Sequence, residues 1–166
     1  VTGTRNRNEN GFSNPPVNAL SHDLRVKLLA AVKGEGANPA VKAIVLTGQG
    51  RAFSAGADIA EFKTGRMAPL LPEVLDEIEQ TPKPIVAAIN GLALGGGLEV
   101  TLVAHARVAA KDVRMLGLPE VKIGVIPGAG GTQRLPRIIG AEPALDMIVS
   151  GAAIDATRAK SIELVA

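Results

Sequence analysis

The sequence predicts an α/β domain with parallel strand pairing, and three observations lead there. Two short runs rich in β-branched residues, 41–47 (VKAIVLT) and 85–89 (IVAAI), are bounded by Gly, Pro or Asn and read as strands. Segments of helical spacing alternate with them. One unit, a strand followed by a Gly-rich turn and a helix, occurs twice, as VKAIVLTGQGRAFSAGADIAEF and KPIVAAINGLALGGGLEVTLV. Two equivalent units place two equivalent turns at the same edge of the sheets. That edge then holds two sets of free backbone N–H donors.

Taken in order, residues 1–13 are polar and Asn-rich. Their one alternation, Thr2 to Arg5, has almost nothing apolar to bury and predicts an edge strand at best, or a frayed end. Residues 14–18 (NPPVN) form an extended turn, because a residue before Pro is pushed out of the helical region. Ser21 is placed as an N-cap, Asp23 falls in the first turn, and Leu24, Leu28 and Val32 follow at helical spacing. Gly34 is expected to end that helix. After the strand at 41–47, Gly48-Gln49-Gly50 turns the chain, 51–54 is extended, and 55–58 (AGAD) is a tight turn. Residues 63–72 read as loop and 73–80 as a short acidic helix, which Thr81-Pro82-Lys83-Pro84 breaks.

The central stretch follows. The strand 85–89 leads, after one intervening segment, to Gly95, Gly96 and Gly97, which open a mostly apolar helix through Val103. Glycines let backbone N–H groups face open space, and the first turn of a helix has unpaired donors. Beyond it, 106–110 is a strand, and 114–121 a further strand interrupted by Gly117-Leu118-Pro119-Glu120. Residues 124–131 (GVIPGAGG) form a loop, and Thr132 caps a short helix ending near Gly140. Residues 142–150 make another helix, and Asp155 caps a last one reaching about Leu164.

Composition narrows the function. The 166 residues suit one domain with a real core, and 46% are apolar. Net charge is only +2, with three Phe and no Trp or Tyr, so stacking platforms for nucleic acid and membrane aromatic belts have little to be built from. The absence of Cys removes disulfides, thiolate metal sites and a Cys nucleophile, and is compatible with a reducing compartment. Asn90 and Glu99 interrupt the best candidate membrane span, and no signal-peptide pattern opens the chain.

Several motifs bear on chemistry. Gly95-Gly96-Gly97 is not a P-loop, since no Lys-Ser or Lys-Thr follows, and it does not fit the dinucleotide fingerprint. Glu99 stands among Leu98, Val100, Leu102 and Val103, where a carboxylate is costly unless it has partners or a task. Glu120 follows a rigid Gly-Leu-Pro turn that aims a side chain. Two carboxyls in one pocket divide acid and base roles when their surroundings separate their pKa values. His22 and His105 have no partner Ser or Cys and no metal-ligand spacing, so surface or capping roles fit both. Gly128-Ala129-Gly130-Gly131 offers an anion site at the next helix, but reads more simply as a tight turn.

The segments NPPVNALS (14–21), FSAGADI (53–59), KPIVAAINGLALGGGLE (83–99) and GLPEVKIGVIPGAGGTQRLPRIIG (117–140) together resemble the crotonase superfamily, the enoyl-CoA hydratase and isomerase family. In tone they are closest to the hydratase domains of bacterial fatty-acid oxidation enzymes. The resemblance implies an α/β spiral of ββα units in a single domain over 1–166. It also implies C-terminal helices that cover the acyl pocket and build a trimer. These are missing from a chain that stops at Ala166, and the domain is expected to be truncated there. Glu163 stands where the family usually has a helix-ending Gly.

The same resemblance implies an acyl-CoA thioester as substrate, with no metal and no cofactor. The thioester oxygen would lie between the N–H groups of Ala57 and Gly96, with Ala55, Asp58, Ile59, Gly91, Gly95 and Pro119 around the substrate. Glu99 would take a proton from water and Glu120 would supply the α-proton. Isomerases of the family typically keep only the second position, so both glutamates together point to a hydratase. The alternatives are an enoyl-CoA isomerase and a non-catalytic acyl-CoA-binding protein. Expected partners are further copies, as a trimer or pair of trimers, or the rest of a multifunctional chain, in a bacterial cytoplasm. Without the C-terminal helices, Leu145, Ile148 and Val149 would lack cover.

Overall fold

The computed structural model describes residues 11–61, 65 and 67–166. The predicted edge strand at Thr2–Arg5 lies outside them. The first helix, α1 (His22–Ala37), starts as its sequence requires: Ser21 Oγ accepts the N–H of Leu24 at 3.4 Å, and Leu24, Leu28 and Val32 are buried. Gly34 does not end it. The helix continues three residues further because a glycine costs about 1 kcal/mol in a helix interior and does not forbid one. Gly36 is buried, its open face against the Thr81 methyl group.

Two three-stranded parallel sheets form the frame. One contains β1 (Ile44–Leu46), β3 (Ile85–Ile89) and β5 (Ala106–Ala109), with β3 central. The other contains β2 (Ala52–Ser54), β4 (Leu92–Leu94) and β6 (Leu116–Gly117), with β4 central. The pairing Ile44↔Ile85, Leu46↔Ala87 sets the apolar residues of β1 and β3 on one buried side. Each unit therefore gives one strand to each sheet. The sequence reading recognised two such units; the structure has a third, β5 and β6. It also makes a strand of 92–94, the segment left between the central strand and the glycines. The strands 92–94 and Leu116–Gly117 are three and two residues long, too short to show a period of their own.

The steps between sheets are tight. A Cβ on Gly48 would lie 2.3 Å from the Ala52 carbonyl oxygen, and one on Gly91 would lie 2.1 Å from that of Arg51. Asn90 joins the two corners: its Oδ1 accepts Gly48 N–H at 3.1 Å and its Nδ2 donates to Gly50 O at 2.9 Å. The NPPVN turn is part of the same frame. Asn18 is buried with φ of 53°, and its Nδ2 donates to Ala52 O at 2.8 Å.

The remaining elements are helical. They are α2 (Leu71–Glu79), α3 (Gly96–Leu102), a 3-10 turn (Pro119–Ile123), α4 (Gly131–Ile139), α5 (Ala141–Ser150) and α6 (Ala156–Ser161). Pro72 opens α2 rather than belonging to the preceding loop, since the first helical turn needs no proline N–H. Thr132 is not the cap of α4; Gly130, at φ 94°, holds that position. Asp155 does cap α6, accepting Arg158 N–H at 2.8 Å, but the helix stops at Ser161. Glu163 then adopts φ of 61°, the left-handed conformation that a glycine would take without strain. Leu145 and Val149 are exposed, whereas Ile148 packs partly into the core.

Candidate active site

The repeated units bring their turns together. Gly56, at φ 93°, has its missing Cβ position 2.7 Å from Leu94 O and 3.2 Å from Gly96 N. Only a bare Cα lets the 55–57 turn approach the start of α3 so closely. The missing Cβ of Gly97 would lie 2.3 Å from Ser54 O, so β2 and α3 are in direct backbone contact. Ser54 holds this junction: its Oγ donates to Asn18 O at 2.7 Å and accepts Gly56 N–H at 3.1 Å. The N–H groups of Ala57 and Gly96 meet here, and neither is taken by another described residue.

Ala57 and Gly96 both line a cavity of about 410 Å³. Ala55, Asp58, Ile59, Gly95 and Pro119 line it as well, and so do Glu99 and Glu120. Gly91 does not. It stands at the β3–β4 corner against Arg51, so the structure gives it a packing task. Leu70, Leu71, Ile123 and Ile126 supply apolar wall, and Arg25 closes one side.

The two carboxyls are held differently. Glu99, 3% exposed, sits in the first turn of α3. Its Oε1 accepts two N–H groups, from Ala129 and Gly131, at 2.8 Å each. Burial pushes its pKa up, and those two hydrogen bonds and the Arg134 guanidinium oppose the rise. The 128–131 turn therefore gives two N–H groups to the chain's own Glu99 carboxyl. Glu120 is carried by the 3-10 turn and lies over Gly95, whose missing Cβ would be 3.0 Å from Glu120 Oε1. Its Oε2 is buried and has no hydrogen-bond partner among the described residues. Burial pushes its pKa up and Glu99 adds to the rise, while its own backbone N–H opposes it.

This asymmetry separates the two roles chemically. An oxygen that accepts two N–H groups suits an ionised carboxylate, which is acceptor-only. A buried oxygen with no partner suits a neutral carboxyl, because an unpaired buried charge is costly. Of the two, the surroundings of Glu120 are the better suited to a proton and those of Glu99 to a charge.

The histidines stay outside this chemistry. His105 Nδ1 accepts the Ile85 N–H at 3.2 Å, and His22 Nε2 lies 2.9 Å from Ala68 O. Among the described residues no group of three or more His, Cys, Asp and Glu is placed to hold a metal, and no helix is long and apolar enough to cross a membrane. Sequence reasoning missed Arg25 and Arg134. Arg25 is 5% exposed, pairs with Glu61 at 2.9 Å and donates to the carbonyls of Leu20, Met67 and Pro69. Nothing local in the sequence announces it. For Arg134 a signal existed, a cation four residues after Gly130, the glycine that caps its helix.

Comparison with known proteins agrees with the geometry. The family model for enoyl-CoA hydratase/isomerase matches residues 11–166. A probable enoyl-CoA hydratase of Bacillus subtilis (strain 168) is 46% identical over 159 residues, covering 92% of this chain and 61% of that protein. A peroxisomal bifunctional enzyme of Danio rerio is 47% identical over 154 residues, 93% of this chain and 21% of that protein. The crystal structure of an enoyl-CoA hydratase from Bacillus anthracis superposes with a TM-score of 0.83 at 40% identity, over 90% of this chain and 60% of that one. The chain thus spans about three fifths of the single-activity relatives and about a fifth of the bifunctional one. It belongs to the enoyl-CoA hydratase/isomerase family, and its α/β fold is that of the family's solved structures.

Proposed function

We propose that this family member hydrates a 2-enoyl-CoA thioester in fatty-acid oxidation. The observation that carries the reading is that Ala57 and Gly96, whose backbone N–H groups are not taken by any described residue, line one cavity with two carboxyls of opposite character. The N–H pair is suited to hold the thioester oxygen as it gains negative charge, a role in which one donor is worth about 3–4 kcal/mol in the transition state. Polarisation makes the β-carbon electrophilic. Glu99 removes a proton from water as the water oxygen bonds to the β-carbon, and Glu120 delivers its proton to the α-carbon. The carbon–carbon double bond becomes single, Glu99 ends protonated and Glu120 ionised, and exchange with solvent resets the pair. The two relatives named as hydratases, both bacterial, support the reading, and a bacterial cytoplasmic setting fits a chain without Cys. Assembly into an oligomer, or into a multifunctional chain like the bifunctional relative, belongs to the same proposal.

The test is the loss of enoyl-thioester absorbance on mixing the full chain with a short 2-enoyl-CoA. Hydration is expected; double-bond migration without hydration would make it an isomerase, and binding without turnover a non-catalytic acyl-CoA protein. Gly96→Pro, which lacks the N–H, is expected to cost about 10²–10³-fold in kcat relative to Gly96→Ala. The alanine variant is the needed reference, because a Cβ alone at this position meets the Leu71 side chain at 2.7 Å.

A further inference from the structure

Arg134 stands beyond the cavity wall, on α4. Its Nη1 donates to the Ala129 carbonyl at 2.9 Å. On the other side its Nη2 meets Glu79 Oε2 at 2.7 Å and Asp76 Oδ1 at 3.3 Å, both on α2. The guanidinium lies across the bare face of Gly130, where a Cβ would be 2.1 Å from Nη1. Residues 129–131 are therefore clamped between Arg134 and Glu99. The peptide group on one side of Ala129 gives its N–H to Glu99, and the carbonyl of the same residue accepts from Arg134.

We infer that Arg134 is a positioning residue for Glu99: anchored on α2, it fixes the 129–131 turn so that two N–H groups converge on one carboxyl oxygen of Glu99. The inference rests on the hydratase reading only for its kinetic readout. Loss of Arg134 acts on Glu99 in two separable ways. The turn loosens, and a positive charge that favours the carboxylate disappears, in keeping with the downward influence of Arg134 on the Glu99 pKa. Among the described residues, the other charged groups that line the cavity are Glu120 on the 3-10 turn, Arg25, Asp58, Glu61 and Lys122, and none of them is hydrogen-bonded to the turn at 129–131. Asp76 and Glu79 act on Glu99 through Arg134.

The experiment compares Arg134→Gln and Arg134→Lys with the parent in the full chain. The first readout is the ¹³C carboxyl titration of Glu99 by NMR, assigned with Glu99→Gln, which does not require turnover. The second is the pH profile of kcat/KM for hydration. In Arg134→Gln the Glu99 midpoint and the acid limb of the profile both move to higher pH. The rate at the optimum falls by about 10–100-fold, the range seen for outer partners that orient metal-bound side chains, a comparable task. Arg134→Lys keeps the charge but lacks the planar fork, so it leaves the midpoint close to the parent and lowers kcat several-fold with little change in KM. An unmoved Glu99 midpoint in folded Arg134→Gln overturns the inference. If that variant does not fold, Arg134→Lys decides: parental kcat overturns the clamp, and reduced kcat with a parental midpoint upholds it. If the parent does not hydrate any enoyl-CoA, the hydratase reading fails while the titration still tests Arg134.

Discussion

Glu99 and Glu120 border one cavity, yet they are built by opposite means. Glu99 grows from a helix and is held by a distant turn through two N–H groups. Glu120 is carried by a short 3-10 turn, lies against a bare glycine, and keeps one oxygen without a partner. The first arrangement favours a charge and the second favours a proton. The same side chain thus acquires two chemistries from its surroundings, and the difference lies in backbone N–H placement more than in nearby charges.

The largest test of this contrast removes each carboxyl in turn. Glu99→Gln keeps an oxygen able to accept from Ala129 and Gly131, so geometry survives while proton transfer is lost. Glu120→Gln does the same at the other side. Each is expected to lower hydration by about 10²–10⁴-fold with acyl-CoA binding retained. Residual rates distinguish them: Glu99→Gln loses the acid limb of the pH profile, and Glu120→Gln loses the basic limb. Near-parental hydration by Glu99→Gln would end the two-carboxyl reading and favour an isomerase that depends on Glu120.

A smaller perturbation uses the glycines beside each carboxyl. In Gly131→Ala the new Cβ lies 3.0 Å from Glu99 Oε1, with Leu118 and Pro127 at 3.1 Å, so it has nowhere to retreat. The carboxylate must shift by tenths of an ångström, and hydration should fall on the order of tenfold, given that a full ångström costs about a hundredfold. In Gly95→Ala the Cβ is also 3.0 Å from a carboxyl oxygen, that of Glu120, and the residue must keep φ of 53°. That variant should lose about 1–3 kcal/mol of stability as well as rate, whereas Gly131→Ala should lose rate chiefly. Urea melts set beside steady-state rates separate the two; equal stability losses would contradict the contrast.

The smallest expected effect is on stability against pH. Burial holds the Glu120 carboxyl above its ordinary value of 4.5, with Glu99 adding to the rise. A carboxyl raised on folding binds its proton more tightly in the folded chain. Its contribution is therefore fully present below the unfolded value and is lost as pH rises through the folded one. Glu120→Gln is neutral at every pH, so above that window it should melt a few degrees higher than the parent, and near pH 4 the advantage should vanish. A Tm difference that does not change between pH 4 and pH 8 would show that the carboxyl pays no penalty for its charge.

What could be read from residues alone was local or repeated. The α1 cap at Ser21, the buried strand Ile85–Ile89 and the twofold unit with its glycine turns all follow from short-range sterics and periodicity. Those same features indicated that two turns would share an edge, and a carboxylate in apolar sequence marked Glu99 as a residue in need of partners. Tertiary structure decided which partners. Strands of two or three residues, Leu92–Leu94 and Leu116–Gly117, exist because neighbours pair with them, and no run that short carries its own signal. Gly91 proved to be a corner against Arg51 instead of cavity wall. The 128–131 turn, which by itself resembled an ordinary loop, became the holder of the Glu99 carboxyl only because α4 and Arg134 set it there, 30 residues along the chain. Contacts at that separation depend on how the units stack, and a linear chain records such stacking only through the residues it leaves bare.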